Sequence, residues 1–482
     1  MITTLLAILY IAVIATVAII IVNTSTASKS IAYLFLLFLF PVVGIIIYFS
    51  IGMNYRTHKL YNKKLSVDKN FFAKLKEQVQ SYAEKTLSES KKNLAHFYNL
   101  TKYVHLENFL TGDNEVSLLL NGENKFQEVI KALKAAKNHI HIEYYIFQND
   151  DIGKKIGEIL KEKATEGVDV RFIYDDYGSK NIRKSFVESL KNSGVEAFPF
   201  YKIKWLLFAN RINYRNHRKI IIVDGKVGFV GGINVSDRYS NPNKFNRYWR
   251  DTHVKIEGPA VLSLQRVFLA DWNFCANQNM ILEEKFFPLI EEKDEKTNEE
   301  NQLVQIIASG PDSDHPDIMY ALIQAILLSK KEILITTPYF VPRTSFLDAI
   351  KIARLSGVDI KLLVPDVSDS KLVNAVSHSF YKEILEVGVE IYKYEKGFIH
   401  AKTMVFDGFV STVGTANLDE RSFDLNFEIN AFIYNKKFAA KLKEAFLEDV
   451  KNSKKIVLEE WNSRSIITRF IEKAARLLAP IL

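Results

Sequence analysis

The sequence predicts an α/β protein: two duplicated α/β lobes forming one catalytic unit, preceded by a two-helix transmembrane hairpin. Three observations predict it. Two long uncharged stretches open the chain, a strand–helix alternation runs through it twice, and one polar motif occupies the same place in each copy. The 482 residues suit two or three domains. The net charge of +8 fits contact with an anionic surface, lipid or nucleic acid; a solvated surface with a slight lysine excess gives the same value. Cys275 is the single cysteine, which excludes an internal disulfide and a thiolate metal cluster and is consistent with a cytosolic catalytic part.

The hairpin comes first. Residues 2–22 and 31–53 contain no charged side chain. At about 1.5 Å rise per residue, each run is long enough to span about 30 Å of hydrocarbon as a helix. Pro41 and Gly44 interrupt the second run, which membrane helices tolerate. The polar joint from Asn23 to Ser30 is short, so the two spans are expected to fold back on one another. Arg56, Lys59, Lys63 and Lys64 follow immediately and place that end, with everything after it, on the cytoplasmic side. The first run lacks the basic leading segment of a signal peptide.

Residues 54–112 read as a polar, Lys-rich connector. From Glu115 strands alternate with amphipathic helices. The strand Ile140 to Phe147 has a counterpart in Ile333 to Phe340. Each is followed by a helix and a matched strand, 167–173 in one copy and 357–363 in the other, and then by Gly-Val-Glu at 194–196 and 388–390. Landmarks repeated in one order indicate duplication. The acidic stretch from Glu283 to Glu300 has no hydrophobic period and is expected to be an exposed linker. The expected organisation is a hairpin at 1–53, a connector at 54–112, a first lobe at 113–290, a second at 291–455 and an amphipathic C-terminal helix at 456–482. In that last segment Ile467, Phe470, Ile471, Ala474, Leu477 and Leu478 recur at helical spacing among Arg469, Lys473 and Arg476. Such a helix suits either an anionic membrane interface or packing on the catalytic lobes.

Each lobe carries the same constellation: His217, Lys219, Asp224, Gly225, Gly231 and Asn234, then His400, Lys402, Asp407, Gly408, Gly414 and Asn417. Residues two apart on a strand share a face, so each histidine projects with its lysine. Asp-Gly turns a hairpin. Gly231 and Gly414 end the next strand, where backbone can come close to a ligand. The amides of Asn234 and Asn417 are able to donate hydrogen bonds. Two ammonium groups and two amides suit a tetrahedral anion and the charge of a pentacoordinate transition state. Two imidazoles suit in-line displacement, one attacking phosphorus and the other moving the alcohol's proton. The lysines supply the positive charge and the sequence shows no carboxylate cluster, so no metal or cofactor is expected.

These paired His-x-Lys-x4-Asp motifs resemble the phospholipase D superfamily. Residues 140–147, 248–251, 309–312 and 417–422, together with the two apolar N-terminal runs, resemble the bacterial cardiolipin synthases within it. The resemblance spans roughly residues 115–450. It implies two phospholipase D-like lobes meeting at a pseudo-twofold interface and a covalent phosphohistidine. His217, Lys219, Asp224, His400, Lys402 and Asp407 would form the two catalytic motifs, with the histidines as nucleophile and general acid/base. Superfamily precedent favours His217 as the nucleophile. Lys219, Asn234, Lys402 and Asn417 would bind phosphate, and Asp251 and Glu428 would orient the imidazoles. Asp224 and Asp407 also read as turn residues that fix the hairpin. His141 reads as a packed histidine, and Tyr144 and Tyr145 as either pocket or packing residues. The implied substrate is phosphatidylglycerol in an anionic membrane, not nucleic acid. The implied reaction transfers a phosphatidyl group from one phosphatidylglycerol to another with loss of glycerol. A phospholipase D hydrolase, a transferase to another alcohol, a nuclease and an inactive membrane scaffold are the rival readings.

Overall fold

The computed structural model describes residues 2–24, 27–49, 84–88, 91, 94–103, 108–200, 214–241, 247–276, 284–288, 302–313 and 315–479. The first apolar run is one continuous helix, α1 (Ile2–Asn23). Among the described residues it is the one helix long and apolar enough to cross a membrane. The second run does not form a single span. It divides into α2 (Ala27–Leu39) and α3 (Pro41–Ile47). Pro41 lacks an N–H and sits at the start of α3, and Phe40 before it leaves the helical region with φ −138°. Residues 50–53, the expected end of that span, lie outside the described residues. The three helices still contact one another: Ile20, Leu37 and Tyr48 are buried together, and the Tyr48 hydroxyl donates to the Ile19 carbonyl at 3.2 Å.

The two lobes share one sheet with fifteen described strands. The first lobe contributes β1 (Leu110–Leu120), β2 (His139–Tyr144), β3 (Asp169–Asp175), β4 (Glu196–Phe200), β5 (Lys219–Val223) and β6 (Val227–Gly231). A short β7 (Tyr248–Arg250) stands apart, and β8 (Thr252–Glu257) returns to the sheet. The second lobe contributes β9 (Gln302–Ser309), β10 (Glu332–Thr336), a short β11 (Phe340–Val341), β12 (Asp359–Pro365) and β13 (Glu390–Tyr394). It continues with a separate β14 (Gly397–Ile399), β15 (Thr403–Phe406), β16 (Val410–Gly414), a short β17 (Leu418–Asp419), β18 (Glu428–Tyr434) and β19 (Ser453–Lys455).

The sheet order proves the repeat. From the seam outward the first lobe reads β1-β8-β6-β5-β2-β3-β4, and the second reads β9-β18-β16-β15-β10-β12-β13 before β19 at the edge. Every strand has its counterpart at the same rank. At the seam β1 and β9 pair antiparallel, Leu110 opposite Gln305. Apolar residues of both lobes, among them Ile220, Phe268, Val304, Ile429 and Phe446, form one buried cluster beneath the seam. That shared cluster fixes the lobes against each other, because separating them would return its apolar surface to water.

The structure departs from the expected boundaries at three places. The sheet begins at Leu110 rather than Glu115. Much of the expected connector lies outside the described residues, but Leu94, Phe97 and Leu100 are buried in the second lobe's core, so its last part is an apolar strut. In the expected exposed linker, Phe286 is fully buried and meets the His139 and His141 rings at 5.0 Å; one aromatic within the acidic run suffices to anchor it. The C-terminal helix (Ile466–Arg476) packs beside the helix Lys371–Leu385, and it does so through its polar side. Glu472 accepts from Arg464 and meets His378 Nδ1 at 3.2 Å, Arg476 pairs with Glu383, and Ile466, Ile467 and Phe470 face outward.

Candidate active site

His217 and His400 each stand just before a strand at the middle of their lobe, two residues ahead of Lys219 and Lys402. The backbone that holds them comes from both lobes. The His217 N–H donates to the Phe427 carbonyl at 2.9 Å, and the Phe427 N–H donates to the Arg215 carbonyl at 2.9 Å. On the other side β7 pairs with β14, Trp249 opposite Phe398, and the His400 N–H donates to the Arg250 carbonyl at 2.7 Å. Each histidine is therefore tied to the residue immediately before the other lobe's acidic residue.

The side chains follow that exchange. His217 Nδ1 lies 2.9 Å from a Glu428 carboxylate oxygen, and His400 Nδ1 lies 2.8 Å from Asp251 Oδ2. Both contacts are buried. The structure thus brings together the four residues expected to work as pairs and crosses the pairs between lobes. A carboxylate on Nδ1 fixes the ring's tautomer and leaves Nε2 as the nitrogen available for chemistry. The carboxylates are themselves held. Asp251 Oδ1 accepts the Thr252 N–H at 2.7 Å, whereas Glu428 accepts the Thr415 hydroxyl and the Asn426 amide, the latter at 3.2 Å. Gly232 occupies Thr415's place in the first lobe; a Cβ there would lie 2.2 Å from Asp251 Oδ1.

Lys219 is fully buried and Lys402 nearly so. Each ammonium reaches back to the carbonyl of its own histidine, at 2.6 and 2.5 Å. Burial pushes Lys219 down to about 7, helped by the charge of Lys402, and burial pushes Lys402 down to about 8. His217 is lowered by burial against the opposing pull of Glu428, and among the smaller influences on it is Lys402 of the other lobe. His400 is lowered to about 4 by burial, then by Lys402, and also senses Lys219. Each histidine thus senses the other lobe's lysine, and with the crossed carboxylate contacts this puts the two motifs side by side. Two buried lysines whose charged forms are disfavoured would be stabilised by an anion placed beside them.

The asparagines flank the pocket less freely than expected. Asn234 accepts the Ile146 N–H at 3.1 Å and donates to the Tyr239 hydroxyl at 2.6 Å, while Asn417 hydrogen-bonds Asp419. An amide nitrogen has two hydrogens, so each retains a donor. Asp224 and Asp407 do not join the histidines. They sit at the far ends of β5 and β15 in the left-handed region, with φ 54° and 51°. Asp224 accepts the N–H groups of Lys137, Asn138 and His139; Asp407 accepts those of Lys330, Lys331 and Glu332 and meets His96 Nε2 at 2.9 Å. Each carboxylate therefore staples backbone N–H groups at the opposite end of its strand from the histidine, the turn role that the sequence also offered. Gly231 and Gly414 likewise make room for protein rather than ligand: a Cβ would meet the His253 backbone at 2.6 Å and Asn430 Oδ1 at 2.0 Å.

His141 is a core residue, stacked on Phe268 at 4.5 Å and bonded to Gln265 at 2.7 Å. Tyr144 is buried in the core on the other face of the sheet, but Tyr145 reaches the site, its ring 4.9 Å from that of His217. Sequence reasoning missed Thr415, Asn426, Trp249 and Tyr239. Thr415 follows Gly414 and Trp249 stands two residues before Asp251, so alternation from the recognised positions is the signal that points to them.

A family model described as cardiolipin synthase, PLD-like domain, matches residues 129–272 and 322–450. Cardiolipin synthase 2 of Bacillus anthracis is 39% identical over 94% of this chain and 87% of its own length. The cardiolipin synthase of Listeria innocua is 40% identical over 94% of this chain and 93% of its own. Among solved structures, the phosphatidylserine synthase of Haemophilus influenzae matches with a TM-score of 0.59, covering 80% of this chain and all of that one; at 15% identity it shows the fold alone. The chain belongs to the cardiolipin synthase family of the phospholipase D superfamily. It is a phosphatidyltransferase enzyme associated with membrane phospholipid.

Proposed function

We propose that the chain joins two phosphatidylglycerols into cardiolipin through a phosphohistidine. One imidazole Nε2 attacks the phosphorus of the first lipid. Its bond to the glycerol oxygen breaks, and the other imidazole gives that oxygen a proton. The terminal hydroxyl of the second lipid then returns a proton to this imidazole and attacks phosphorus, releasing the first histidine. The observation that carries this reading is the crossed pair His217–Glu428 and His400–Asp251 around two buried lysines. Two rings fixed through Nδ1 present two Nε2 atoms to one anion, which suits a displacement with a base on each side.

The apolar segments would hold the lobes at the inner leaflet, with α1 and the run from residue 31 crossing the bilayer and the catalytic part cytoplasmic, as Arg56 and Lys59 favour. Anchoring keeps the acceptor lipid at high local concentration and so favours it over water. The test is product analysis with purified protein and headgroup-labelled phosphatidylglycerol, with and without competing alcohols. Cardiolipin and free glycerol should appear in equal amounts. Phosphatidic acid as the sole product would assign a hydrolase instead.

A further inference from the structure

The two catalytic rows differ at one position. Stepping back two residues from each lysine and its histidine gives Arg215-x-His217-x-Lys219 in the first lobe and Phe398-x-His400-x-Lys402 in the second. Residues 215 to 217 are extended against Phe427, so Arg215 shares the face of His217 and Lys219. Its guanidinium stacks over Tyr177 at 4.7 Å. Arg215 is only 3% exposed, and both terminal nitrogens are buried without a hydrogen-bond partner. Asp175 is close enough to attract it, but that carboxylate accepts the N–H groups of Tyr177, Gly178 and Asn216. Tyr145 and a second guanidinium, Arg421, are also near. A buried guanidinium with unused donors beside a phosphate pocket is built for a second anion.

We infer that Arg215 binds the phosphodiester of the acceptor lipid while Lys219 and Lys402 hold the phosphorus being transferred. This rests on the reading that the acceptor is a second phosphatidylglycerol. That lipid brings a phosphate of its own, three carbons from the attacking hydroxyl. Two residues of extended chain span about 7 Å, which matches the spacing of two phosphates bridged by glycerol. The first lobe thus carries a charge for which the second, with Phe398, has no need.

The test compares two acceptors that share one donor step. Cardiolipin formation uses an acceptor with a phosphate; incorporation of labelled free glycerol into phosphatidylglycerol uses one without. Arg215→Gln should lower kcat/KM for cardiolipin about tenfold or more, the loss of one charge-assisted contact, and shift the ratio of the two activities by nearly as much. Arg215→Lys should recover part of the ratio. Equal loss of both activities, or unchanged cardiolipin formation, overturns the inference. Wild-type protein that incorporates glycerol but makes no cardiolipin overturns the acceptor reading beneath it.

A separate observation carries a second inference. The helix Ile466–Arg476 buries Glu472 and Ala475 and exposes Ile466 (76%), Ile467 (72%) and Phe470 (72%), the reverse of a helix packed on a globular core. Lys473 is exposed beside that apolar face and Arg469 is half-buried at its edge, whereas Arg464 and Arg476 are taken up by Glu472 and Glu383 on the packed side. We propose that this face lies in the headgroup–acyl boundary of the anionic bilayer that α1 enters. In the full chain carrying Cys275→Ser and Phe470→Cys, reconstituted in phosphatidylglycerol vesicles, a polarity-sensitive label at residue 470 should be quenched by nitroxide lipid and protected from iodide. Free quenching by iodide overturns the proposal, as does crosslinking between residues 470 of two chains, which would assign the face to a second copy.

Discussion

The two histidines have the same frame and different walls. The residues flanking His217 are polar and turn to the other face of the chain: Asn216 donates to Glu143, Arg218 pairs with Asp271, and burial with the nearby Asp271 holds the Glu143 carboxyl well above its usual range, while the His217 ring itself meets Tyr145 at 4.9 Å. The residues flanking His400 are the apolar Ile399 and Ala401, and its ring sits among Trp249 at 5.7 Å, Phe398 at 5.8 Å and Tyr239 at 6.3 Å. The carboxylates differ in the same spirit. Short Asp251 closes against Gly232, and longer Glu428 bonds Thr415. Duplication preserved the histidine, lysine and acidic positions and released the residues that surround them. Under the proposed reaction, which handles two alcohols in sequence, that freedom would let donor and acceptor meet different environments.

Removing either imidazole tests whether the shared frame is essential. His217→Ala and His400→Ala should each lower cardiolipin formation by about three orders of magnitude or more, and 32P labelling of the phosphoenzyme should disappear in the variant that lacks the nucleophile. The crossed pairing is broken next. Glu428→Gln and Asp251→Asn should each cost about a hundredfold or more. In double-mutant cycles Glu428 should couple to His217 and Asp251 to His400. Coupling within one lobe would contradict the exchange.

The lysines sharpen the comparison through pH. Deprotonation removes the charge that holds phosphate, and Lys219 and Lys402 sit at about 7 and about 8. kcat/KM, which reports the empty enzyme, should fall as pH rises through that window. kcat should persist to higher pH, because a bound phosphodiester keeps both lysines charged. Lys402→Arg should move the alkaline limb of kcat/KM upward. The smallest effect on catalysis belongs to the stapling aspartates. Asp224→Ala and Asp407→Ala each leave three backbone N–H groups without their carboxylate and should lower stability by about 2 kcal/mol, seen as a drop in Tm, while folded protein keeps activity within the same order of magnitude. A collapse of turnover in stable Asp224→Ala protein would return that residue to the catalytic set.

The repeat, the alternation of strands and helices and the two histidine–lysine rows were legible because each is a local pattern. Periodicity two places His217 and Lys219 on one face wherever the strand ends up, and matched offsets in both copies identify the pair. Asp224 carried two readings because its spacing from His217 is as regular as that of Lys219, and the five strand residues between them put it at the opposite end, where the turn reading places it. Arg215 was passed over for the opposite reason: the second copy has Phe398 there, so a search for matched positions discards it.

By itself the sequence determined two lobes, the face on which each motif stands and an apolar start that seeks a membrane, all consequences of hydrophobic period and turn chemistry along the chain. Only the tertiary structure decided that Glu428 serves His217 and Asp251 serves His400, and that the C-terminal helix turns its greasy side outward. Those facts depend on contacts between residues as much as 211 positions apart. Side-chain spacing carries no record of which distant backbone will lie alongside, because that choice is made by the burial of a core common to both lobes.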